Sequence, residues 1–185
     1  MGKVIYGMNV SLDGYIEDSS GGIDFTGPTA DDVHRHWNEH SRAAAAFLYG
    51  RRLYEVMEEH WTAAAMQEDL PDVEAEFARA YVDTPRFVFS DTLESVPSGV
   101  ELVRSQDATT VVKRLKDETE GDLAVAGAGL AASLLDLIDE FQLVVLPVVV
   151  GSGKPFFPAG SELPLRLVDQ HVFDSGAVYL AYVRR

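Results

Sequence analysis

The sequence predicts an α/β protein organised around a βαβ unit with parallel strands. The first observation is an apolar run from Leu123 to Ala126, short enough for a buried strand. The second is the helical spacing of apolar residues from Leu130 to Ile138. The third is another apolar run, Leu143 to Val150, without the alternation of a half-exposed strand. Strand, helix and strand in this order predict a βαβ unit with parallel strands.

A glycine turn joins the first strand of this unit to its helix. Gly127, Ala128 and Gly129 have small side chains, so an anion can approach the N–H groups that begin the helix. With Ala132 they match the Gly-x-Gly-x-x-Gly/Ala pattern of dinucleotide-binding turns. That pattern also requires an acidic residue after the next strand, where residues 151–154 are Gly-Ser-Gly-Lys. We therefore reject a standard Rossmann domain and keep two interpretations, a pyrophosphate-binding turn and a turn that only packs helix against strand.

The charge balance restricts the partners of the protein. Its 185 residues carry a formal net charge of −15 and include no cysteine. Such a protein repels nucleic-acid phosphates and anionic membrane surfaces, so we expect neither as a partner. The lack of cysteine excludes disulfides, thiolate catalysis and cysteine-ligated metals. Because the sequence has no linker or repeat we predict a single domain over residues 1–185, and because residues 1–6 lack a secretory signal we predict a cytoplasmic protein.

The N-terminal part of the chain contains a strand, a long loop and a helix. Residues 3–10 are typical of a strand, and one that starts so early is expected in the centre of the sheet. An Asp-Gly turn signal follows at residues 13–14. Residues 17–29 are rich in turn formers, so they are either an active-site loop or a surface excursion. Thr29 is the predicted cap of a helix that runs to Ala43.

This helix carries the sequence His36-Trp37-Asn38-Glu39-His40, which matches the His-x-x-Glu-His pattern of one class of zinc protease. Such enzymes need a third ligand from a second helix in a larger fold, and the sequence supplies none at a suitable place. We therefore interpret the histidines as part of a solvated helix face and predict no metal.

Two arginines follow the second predicted strand, Ala44 to Tyr49. Gly50 separates that strand from a helix whose first turn holds Arg51 and Arg52. Cations at a helix N-terminus oppose the helix dipole and cost about 0.3–1 kcal/mol each unless an anion binds beside them. In a protein this acidic the pair predicts a phosphate-binding site, because guanidinium groups match phosphate oxygens. The alternative is salt bridging to the carboxylates of the same helix, Glu55, Glu58 and Glu59.

The remaining segments complete the predicted sheet. In chain order they are a helix at 72–82 that begins with Pro71, strands at 86–92 and 100–104, a helix at 108–118, a turn cluster at 151–158, and a hairpin of strands 166–173 and 177–183. The strand at 86–92 ends in Ser90 and Asp91, and open α/β sheets bind ligands at such carboxyl ends. We therefore expect the functional site at that edge of the sheet.

Five motifs in this order resemble the dihydrofolate reductase-like superfamily, and most closely the stand-alone proteins similar to the C-terminal reductase domain of the riboflavin biosynthesis protein RibD. They are Met8-Asn9-Val10-Ser11-Leu12-Asp13-Gly14-Tyr15-Ile16, Leu48-Tyr49-Gly50-Arg51-Arg52-Leu53-Tyr54-Glu55, Val88-Phe89-Ser90, Ala126-Gly127-Ala128-Gly129 and Gly151-Ser152-Gly153-Lys154-Pro155-Phe156-Phe157. The resemblance covers nearly the whole chain. It implies a three-layer fold with a mostly parallel twisted sheet, flanking helices and an antiparallel C-terminal strand pair, and it implies NADPH as the cofactor.

The resemblance also implies roles for residues of this sequence. Arg51 and Arg52 would hold the 2′-phosphate of NADPH, the backbone from Gly127 to Leu130 would hold the pyrophosphate, and the nicotinamide would lie near Asn9 and Ile16. The implied cofactor contacts are Ile16, Gly50, Arg51, Arg52, Leu53, Ser90, Arg104, Gly127, Ala128, Gly129 and Leu130. The implied substrate contacts are Met8, Asn9 and Asp13.

The activity implied by the resemblance is reduction of a small pyrimidine- or pteridine-like heterocycle, similar to the 5-amino-6-(5-phosphoribosylamino)uracil reductase of riboflavin biosynthesis. Dihydrofolate reductases use a carboxylate on the first helix, and the candidates for proton delivery are Asp13, Asp31 and Asp32, although Asp31 and Asp32 also suit helix capping. The arginine that grips the folate glutamate is missing, so dihydrofolate reduction is the second interpretation. A nucleotide-binding protein without catalysis is the third. Relatives of this type also imply a homodimer.

Overall fold

The computed structural model describes residues 2–23, 25, 27 and 29–185. Its strands are β1 (Val4–Ser11), β2 (Tyr15–Asp18), β3 (Ala44–Gly50), β4 (Arg86–Phe89), β5 (Val100–Val103), β6 (Asp122–Ala126), β7 (Glu140–Leu146), β8 (Gly153–Pro155), β9 (Leu165–Val172) and β10 (Val178–Arg184). Its helices are α1 (Asp31–Ala43), α2 (Arg51–Ala64), α3 (Asp72–Asp83), α4 (Ala108–Glu118) and α5 (Ala128–Ser133), with 3-10 turns at Ser105–Asp107 and Leu135–Leu137. Within these residues, no helix is long and apolar enough to cross a bilayer.

An eight-stranded sheet with the order β5-β4-β3-β6-β1-β7-β10-β9 forms the centre of the fold. Neighbouring strands from β5 to β7 are parallel, whereas β10 is antiparallel to both β7 and β9. The first strand lies between β6 and β7, which confirms its predicted central position. The predicted fold class, a mostly parallel sheet with flanking helices and an antiparallel C-terminal strand pair, is therefore confirmed.

The alternation of side chains along β3 shows how the three layers form. Leu48 packs into one buried cluster with Val112 of α4 and Leu130 of α5. Tyr49, the next residue, packs into another with Tyr81 of α3. Successive strand residues point to opposite faces, so both faces of β3 are covered. Each large apolar side chain buried in this way contributes about 1.5–3 kcal/mol, which makes the sheet the stable base for the loops at its carboxyl edge.

The position of β7 corrects the predicted strand from 143 to 150. The strand starts earlier, at Glu140, and it ends at Leu146 because Pro147 has no N–H for the sheet ladder. Its start was missed because two of its first residues are polar yet buried. Gln142 Nε2 donates to Glu140 Oε1 at 2.8 Å, and Lys3 Nζ donates to Glu140 Oε2 at 2.8 Å. The helix before it is also shorter than predicted, since α5 ends at Ser133 and a 3-10 turn follows.

A two-stranded ribbon of β2 and β8 was not predicted. It is antiparallel and places Glu17 opposite Lys154. Charged residues in both segments, together with Gly153 and Pro155 in β8, concealed the strands. The predicted cap of α1 is also wrong, because the N-cap residue is Ala30 and no side chain caps the helix there. The ribbon matters for function because it lies across the carboxyl edge of β1.

Candidate cofactor and substrate site

Two strand-to-helix turns meet at the carboxyl edge of the sheet, one between β3 and α2 and the other between β6 and α5. A Cβ placed on Gly127 would lie 3.8 Å from the backbone N of Gly50 and 3.7 Å from Leu53 Cβ. One placed on Gly50 would lie 3.6 Å from Leu130 Cβ. The two turns are therefore in direct contact, and together they form the floor of a cleft.

This cleft, called the cationic cleft below, has a volume of about 330 Å³. Its wall includes the side chains of Arg51, Arg52, Lys154 and Glu17 and the backbone of Gly127 and Gly129. In a chain with a net charge of −15, the grouping of three cations beside a glycine turn is a local reversal of charge. The cleft is therefore suited to an anionic ligand.

The backbone of the glycine turn is open to the cleft. Gly127 has φ +97°, a conformation that residues with a side chain rarely adopt, and it precedes the first turn of α5. A Cβ on Gly129 would find only Lys154 Nζ, 4.0 Å away. Because α5 has six residues, its dipole is small, so close approach to the N–H groups is the main advantage of the turn.

The two arginines occupy the first two positions of α2, whose first turn contains no acidic residue. Arg51 Nη1 donates to Thr92 Oγ1 at 2.7 Å, and its Nε lies 3.4 Å from Glu55 Oε1. The predicted alternative of pairing within the helix is thus present for Arg51. An exposed pair of this kind contributes only about 0.3–0.5 kcal/mol, so it leaves the guanidinium available to a ligand.

Glu17 lies between the other two cations. Arg52 Nη1 is 3.4 Å from Glu17 Oε2, and Lys154 Nζ is 3.7 Å from Glu17 Oε1. The Glu17 side chain is only 17% exposed, so its carboxylate is held inside the cleft where a phosphate would meet the same two cations. Sequence reasoning missed both Glu17 and Lys154 as site residues, because their pairing depends on the unpredicted ribbon.

A second, mostly apolar cavity lies between the sheet and helices α1, α2 and α3. This ring cavity has a volume of about 290 Å³. Aromatic and thioether side chains dominate its wall, among them Trp37, Tyr49, Met57, Trp61 and Phe77. Leu53 lines both this cavity and the cationic cleft. The two spaces are therefore neighbours that share a wall.

A family model described as the RibD C-terminal domain matches residues 2–180. The chain belongs to the RibD C-terminal domain family. Two relatives from Bacillus subtilis (strain 168) match nearly the whole chain. The uncharacterized protein YyaP is 27% identical over 183 residues, which are 97% of this chain and 94% of YyaP. The uncharacterized protein YwjB is 29% identical over 186 residues, which are 98% of each chain.

Solved structures similar to this RibD C-terminal domain share its fold. A protein assigned to riboflavin biosynthesis from Shewanella sp. PV-4 has a TM-score of 0.73 and 24% identity, covering 100% of this chain and 99% of its own. A bifunctional diaminohydroxyphosphoribosylaminopyrimidine deaminase and 5-amino-6-(5-phosphoribosylamino)uracil reductase from Thermotoga maritima has a TM-score of 0.70 and 15% identity, and the match covers 57% of it. Dihydrofolate reductase from Enterococcus faecalis, complexed with NADP(H), has a TM-score of 0.68 and 14% identity over 97% of its chain.

In this RibD C-terminal domain, Ser90 and Arg104 stabilise a turn beside the cleft. Ser90 Oγ accepts hydrogen bonds from the N–H groups of Thr92 and Leu93, at 3.2 and 3.0 Å. Arg104 Nη1 donates to the carbonyl oxygens of Ser90 and Leu93, at 2.8 Å each. The turn holds Thr92, which in turn orients Arg51. Contact of Ser90 or Arg104 with a cofactor stays a prediction.

Two of the three residues implied to border the substrate lie at the ring cavity, whereas Asp13 does not line it. Met8 and Asn9 line it, and Asn9 Oδ1 accepts a hydrogen bond from Trp37 Nε1 at 2.7 Å. Ile16 is 3% exposed and packs in the main core, as does Ala128. The roles of these residues toward a cofactor or substrate stay predictions.

The three candidate carboxylates have separate contacts. Hydrogen bonds from Ser11 and from the N–H groups of Gly151 and Val150 lower the pKa of the exposed Asp13. Asp32 Oδ2 accepts the Ser175 N–H at 2.9 Å, which lowers its pKa. Asp31 lies 3.5 Å from Arg35.

These contacts bear on the predicted role in proton delivery. A carboxyl group with a lowered pKa is ionised at neutral pH and is a weak proton donor. Asp13 and Asp32 instead fix loops to the sheet edge, and none of the three carboxylates lines the cationic cleft or the ring cavity within the described chain. Their role in catalysis stays a prediction, and water is the alternative proton source.

His34, which sequence reasoning missed, lines the ring cavity. The buried Asn38 fixes the hydrogen-bonding state of this imidazole. Asn38 Nδ2 donates to Val73 O and to Glu76 Oε2, at 2.8 Å each, so Asn38 Oδ1 must be the acceptor for His34 Nδ1 at 3.1 Å. His34 is therefore protonated at Nδ1, and Nε2 is the ring atom left for a ligand. Sequence reasoning missed His34 because its orientation depends on a contact between Asn38 and α3 that the sequence does not reveal.

The histidines of the zinc-protease pattern pack against the C-terminal hairpin. The His36 ring centroid lies 4.2 Å from that of Tyr179 and 5.4 Å from that of Phe173. His40 Nδ1 lies 2.9 Å from the His36 carbonyl oxygen of the same helix. Burial, with a smaller effect of His40, lowers the pKa of His36 to about 4. Both side chains thus contribute to packing of α1 on the hairpin, and the predicted solvated face is wrong for His36, whose Nε2 is buried.

Proposed function

We propose that this protein is an NADPH-dependent reductase of a small pyrimidine- or pteridine-like heterocycle. The observation that carries the proposal is the contact between a cleft with three cations at a glycine turn and a cavity lined with aromatic rings, through the shared wall of Leu53. The first suits the phosphates of a dinucleotide and the second suits planar rings. Similarity to the Thermotoga maritima reductase and to the Enterococcus faecalis dihydrofolate reductase supports the same reaction class.

The residues present fit this cofactor. Arg51 and Arg52 would hold the 2′-phosphate, and the N–H groups of Gly129 and Leu130 would hold the pyrophosphate, with Lys154 beside them. The bound nicotinamide would supply the hydride. The protein's own contribution would be to hold the nicotinamide and the substrate ring in direct contact where the two spaces meet beside Leu53, and to exclude water from that contact. We propose that the proton comes from water, with Asp13, Asp31 and Asp32 kept as the alternative predicted donors. We also propose a cytoplasmic location and a homodimer as the assembly.

The first prediction concerns cofactor preference. We expect calorimetry to show binding of NADPH about 10- to 100-fold tighter than NADH, because charge-assisted hydrogen bonds to a 2′-phosphate are worth about 1.5–3 kcal/mol before solvent screening. The double substitution of Arg51 and Arg52 by alanine should remove the preference and leave NADH binding nearly unchanged. Arg114→Ala is the matched control, since Arg114 is exposed on α4 and pairs with Glu101 and Glu118. Equal affinities for the two cofactors in the unmodified protein would contradict the proposal.

Turnover is tested separately, by following NADPH oxidation with the pyrimidine substrate of riboflavin synthesis and with dihydrofolate. Oxidation of NADPH with either compound supports a reductase. Tight binding of NADPH with no turnover of these or other heterocycles would support a nucleotide-binding protein without catalysis.

A second prediction follows from the position of Glu17. We expect Glu17→Gln to tighten NADPH binding about threefold to tenfold in low salt, because the amide no longer competes with phosphate for Arg52 and Lys154. The gain should shrink as salt screens the charges. Glu118→Gln removes the same charge far from the cleft and serves as the control. Weaker binding by Glu17→Gln would mean that the carboxylate helps the ligand rather than competing with it.

A further inference from the structure

The described part of the ring cavity has no permanent counter-charge for an anionic group. Among the described residues that line it there is neither lysine nor arginine. The cations of α1 are engaged outside it, because Arg35 lies 3.5 Å from Asp31 and Arg42 Nη1 lies 2.7 Å from Glu76 Oε1. The one carboxylate in its wall, Asp122, would repel an anion. The charged part of a ligand therefore meets no lysine or arginine among the described residues of this wall.

The lack of a cation in the cavity wall disfavours an anionic ligand mainly because of the cost of desolvation. Transfer of an ionised phosphate or carboxylate into an apolar space costs several kcal/mol unless a cation or several hydrogen bonds compensate. The net charge of −15 adds long-range repulsion. The cationic cleft cannot supply the compensation, because its cations face the phosphate positions of the cofactor on the other side of Leu53.

Apart from Asp122, several polar side chains of the cavity are already partly used in hydrogen bonds within the protein. Asn9 Oδ1 accepts from Trp37, His34 Nδ1 is bound to Asn38, and Gln142 Nε2 donates to Glu140. What remains for a ligand is a small set of amide and imidazole groups, which match the ring nitrogens and carbonyls of an uncharged heterocycle.

The shape of the cavity favours a flat molecule without a long tail. A Cβ on Gly7 of β1 would lie 3.0 Å from Trp37 Cζ3 and 3.1 Å from Cη2, so the indole rests on the backbone of the strand only because this residue is glycine. The volume of about 290 Å³ is at the small end of ligand sites, which span roughly 300–1,000 Å³. One ring system fills such a space.

We propose that the substrate reduced in the ring cavity is an uncharged, planar, unsaturated ring compound that carries neither a phosphate nor a carboxylate group. The proposal rests on the proposed reductase function and narrows its substrate class. In the reaction, one C=N or C=C bond of the ring accepts a hydride from NADPH at carbon and a proton from water at the other atom. The products are the dihydro ring compound, NADP⁺ and hydroxide.

The test uses two pairs of compounds that differ in the charged tail. One pair is 6-methyl-7,8-dihydropterin and 7,8-dihydrofolate, and the other is 5-amino-6-ribosylaminouracil and its 5′-phosphate. Binding is measured by quenching of tryptophan fluorescence, with NADP⁺ present and absent. We expect the uncharged member of each pair to bind at least tenfold tighter than the charged one. Equal or tighter binding of the charged member in both pairs, or no binding of either uncharged compound, overturns the proposal.

A cation introduced into the cavity by substitution should reverse the preference and so tests the same proposal. Met57 lines the cavity on α2, whereas its neighbour Val56 is 53% exposed on the outer side of the helix. We expect Met57→Lys to shift the preference at least tenfold toward the charged member of each pair, and Val56→Lys to leave it unchanged. An equal shift in both variants would contradict a local effect in the cavity, with thermal unfolding used to confirm that both variants fold.

Failure of the proposed reductase function has a different signature. It would appear as binding of the uncharged rings without consumption of NADPH. The binding preference itself does not depend on turnover.

Discussion

Gly129→Val is expected to weaken NADPH binding by about 100-fold or more, which corresponds to about 2.7 kcal/mol, while the protein stays folded. Gly129 is exposed in the first turn of α5, and a Cβ there meets only the end of the Lys154 side chain. In the unliganded protein the valine therefore has space. It occupies the volume through which the pyrophosphate approaches the backbone N–H groups.

The expected effect on the fold is small for a second reason. Valine has a better helix propensity than glycine by a few tenths of a kcal/mol, so the substitution does not weaken α5. Gly127 is the less informative position, because its φ of +97° would strain any side chain and destabilise the turn itself.

The control is Ala132→Val, which adds the same side chain at an exposed position of the same helix outside the cleft. The measurement is calorimetric titration of both variants with NADPH, with thermal unfolding alongside. Normal NADPH affinity in Gly129→Val would mean that the glycine turn only packs the helix against the sheet.

Arg86→Met is expected to destabilise the protein by about 3–5 kcal/mol, the usual cost of removing one partner from a buried ion pair. Arg86 is 6% exposed at the start of β4. Its Nη1 donates to the carbonyl oxygens of Tyr81, Val82 and Thr84, at 2.6, 3.1 and 3.2 Å. The carbonyls of the last turn of α3 would lose their donor.

The ion pair adds to this cost. Arg86 Nε lies 3.2 Å from Glu58 Oε2, within ion-pair distance although outside hydrogen-bond geometry, and the Glu58 side chain is only 15% exposed. Glu58 would keep the hydrogen bond from the Tyr81 hydroxyl at 2.8 Å but lose its cation. Methionine preserves much of the side-chain volume, so the measured loss reports mainly on polar contacts.

Urea unfolding of Arg86→Met and of Arg114→Met tests this expectation. The exposed Arg114 should change the free energy of unfolding by less than about 0.5 kcal/mol. Adding Glu58→Gln to Arg86→Met should recover part of the loss, because the uncompensated charge is removed. A loss below about 1 kcal/mol in Arg86→Met would show that water replaces the guanidinium at this site.

The parts of the fold that the sequence predicted are those whose signals are local. Apolar runs identified β3 and β6, and the unfavourable placement of Arg51 and Arg52 at a helix start identified one wall of the cleft. These signals need only neighbouring residues, since strand burial and the helix dipole act over a few positions.

The parts that escaped prediction depend on pairs that are distant in sequence. Glu140 is buried at the start of β7 because Lys3 and Gln142 donate hydrogen bonds to its carboxylate. A strand that begins with buried polar residues has no apolar pattern from which it could be predicted. Glu17 belongs to the cleft through Arg52 and Lys154. His34 is oriented by Asn38, which in turn is held by α3. Only the folded chain brings these groups together.

The carboxylate of Glu17 also has a consequence for the rate at which a bound nucleotide leaves. Without it, departure of a phosphate would leave Arg52 and Lys154 facing each other across an empty cleft. With it, the carboxylate returns to both cations as the phosphate moves away, so the charge is never uncompensated during exit. In the proposed reductase, an internal anion of this kind would lower the barrier to dissociation and so shorten the residence time of the spent cofactor.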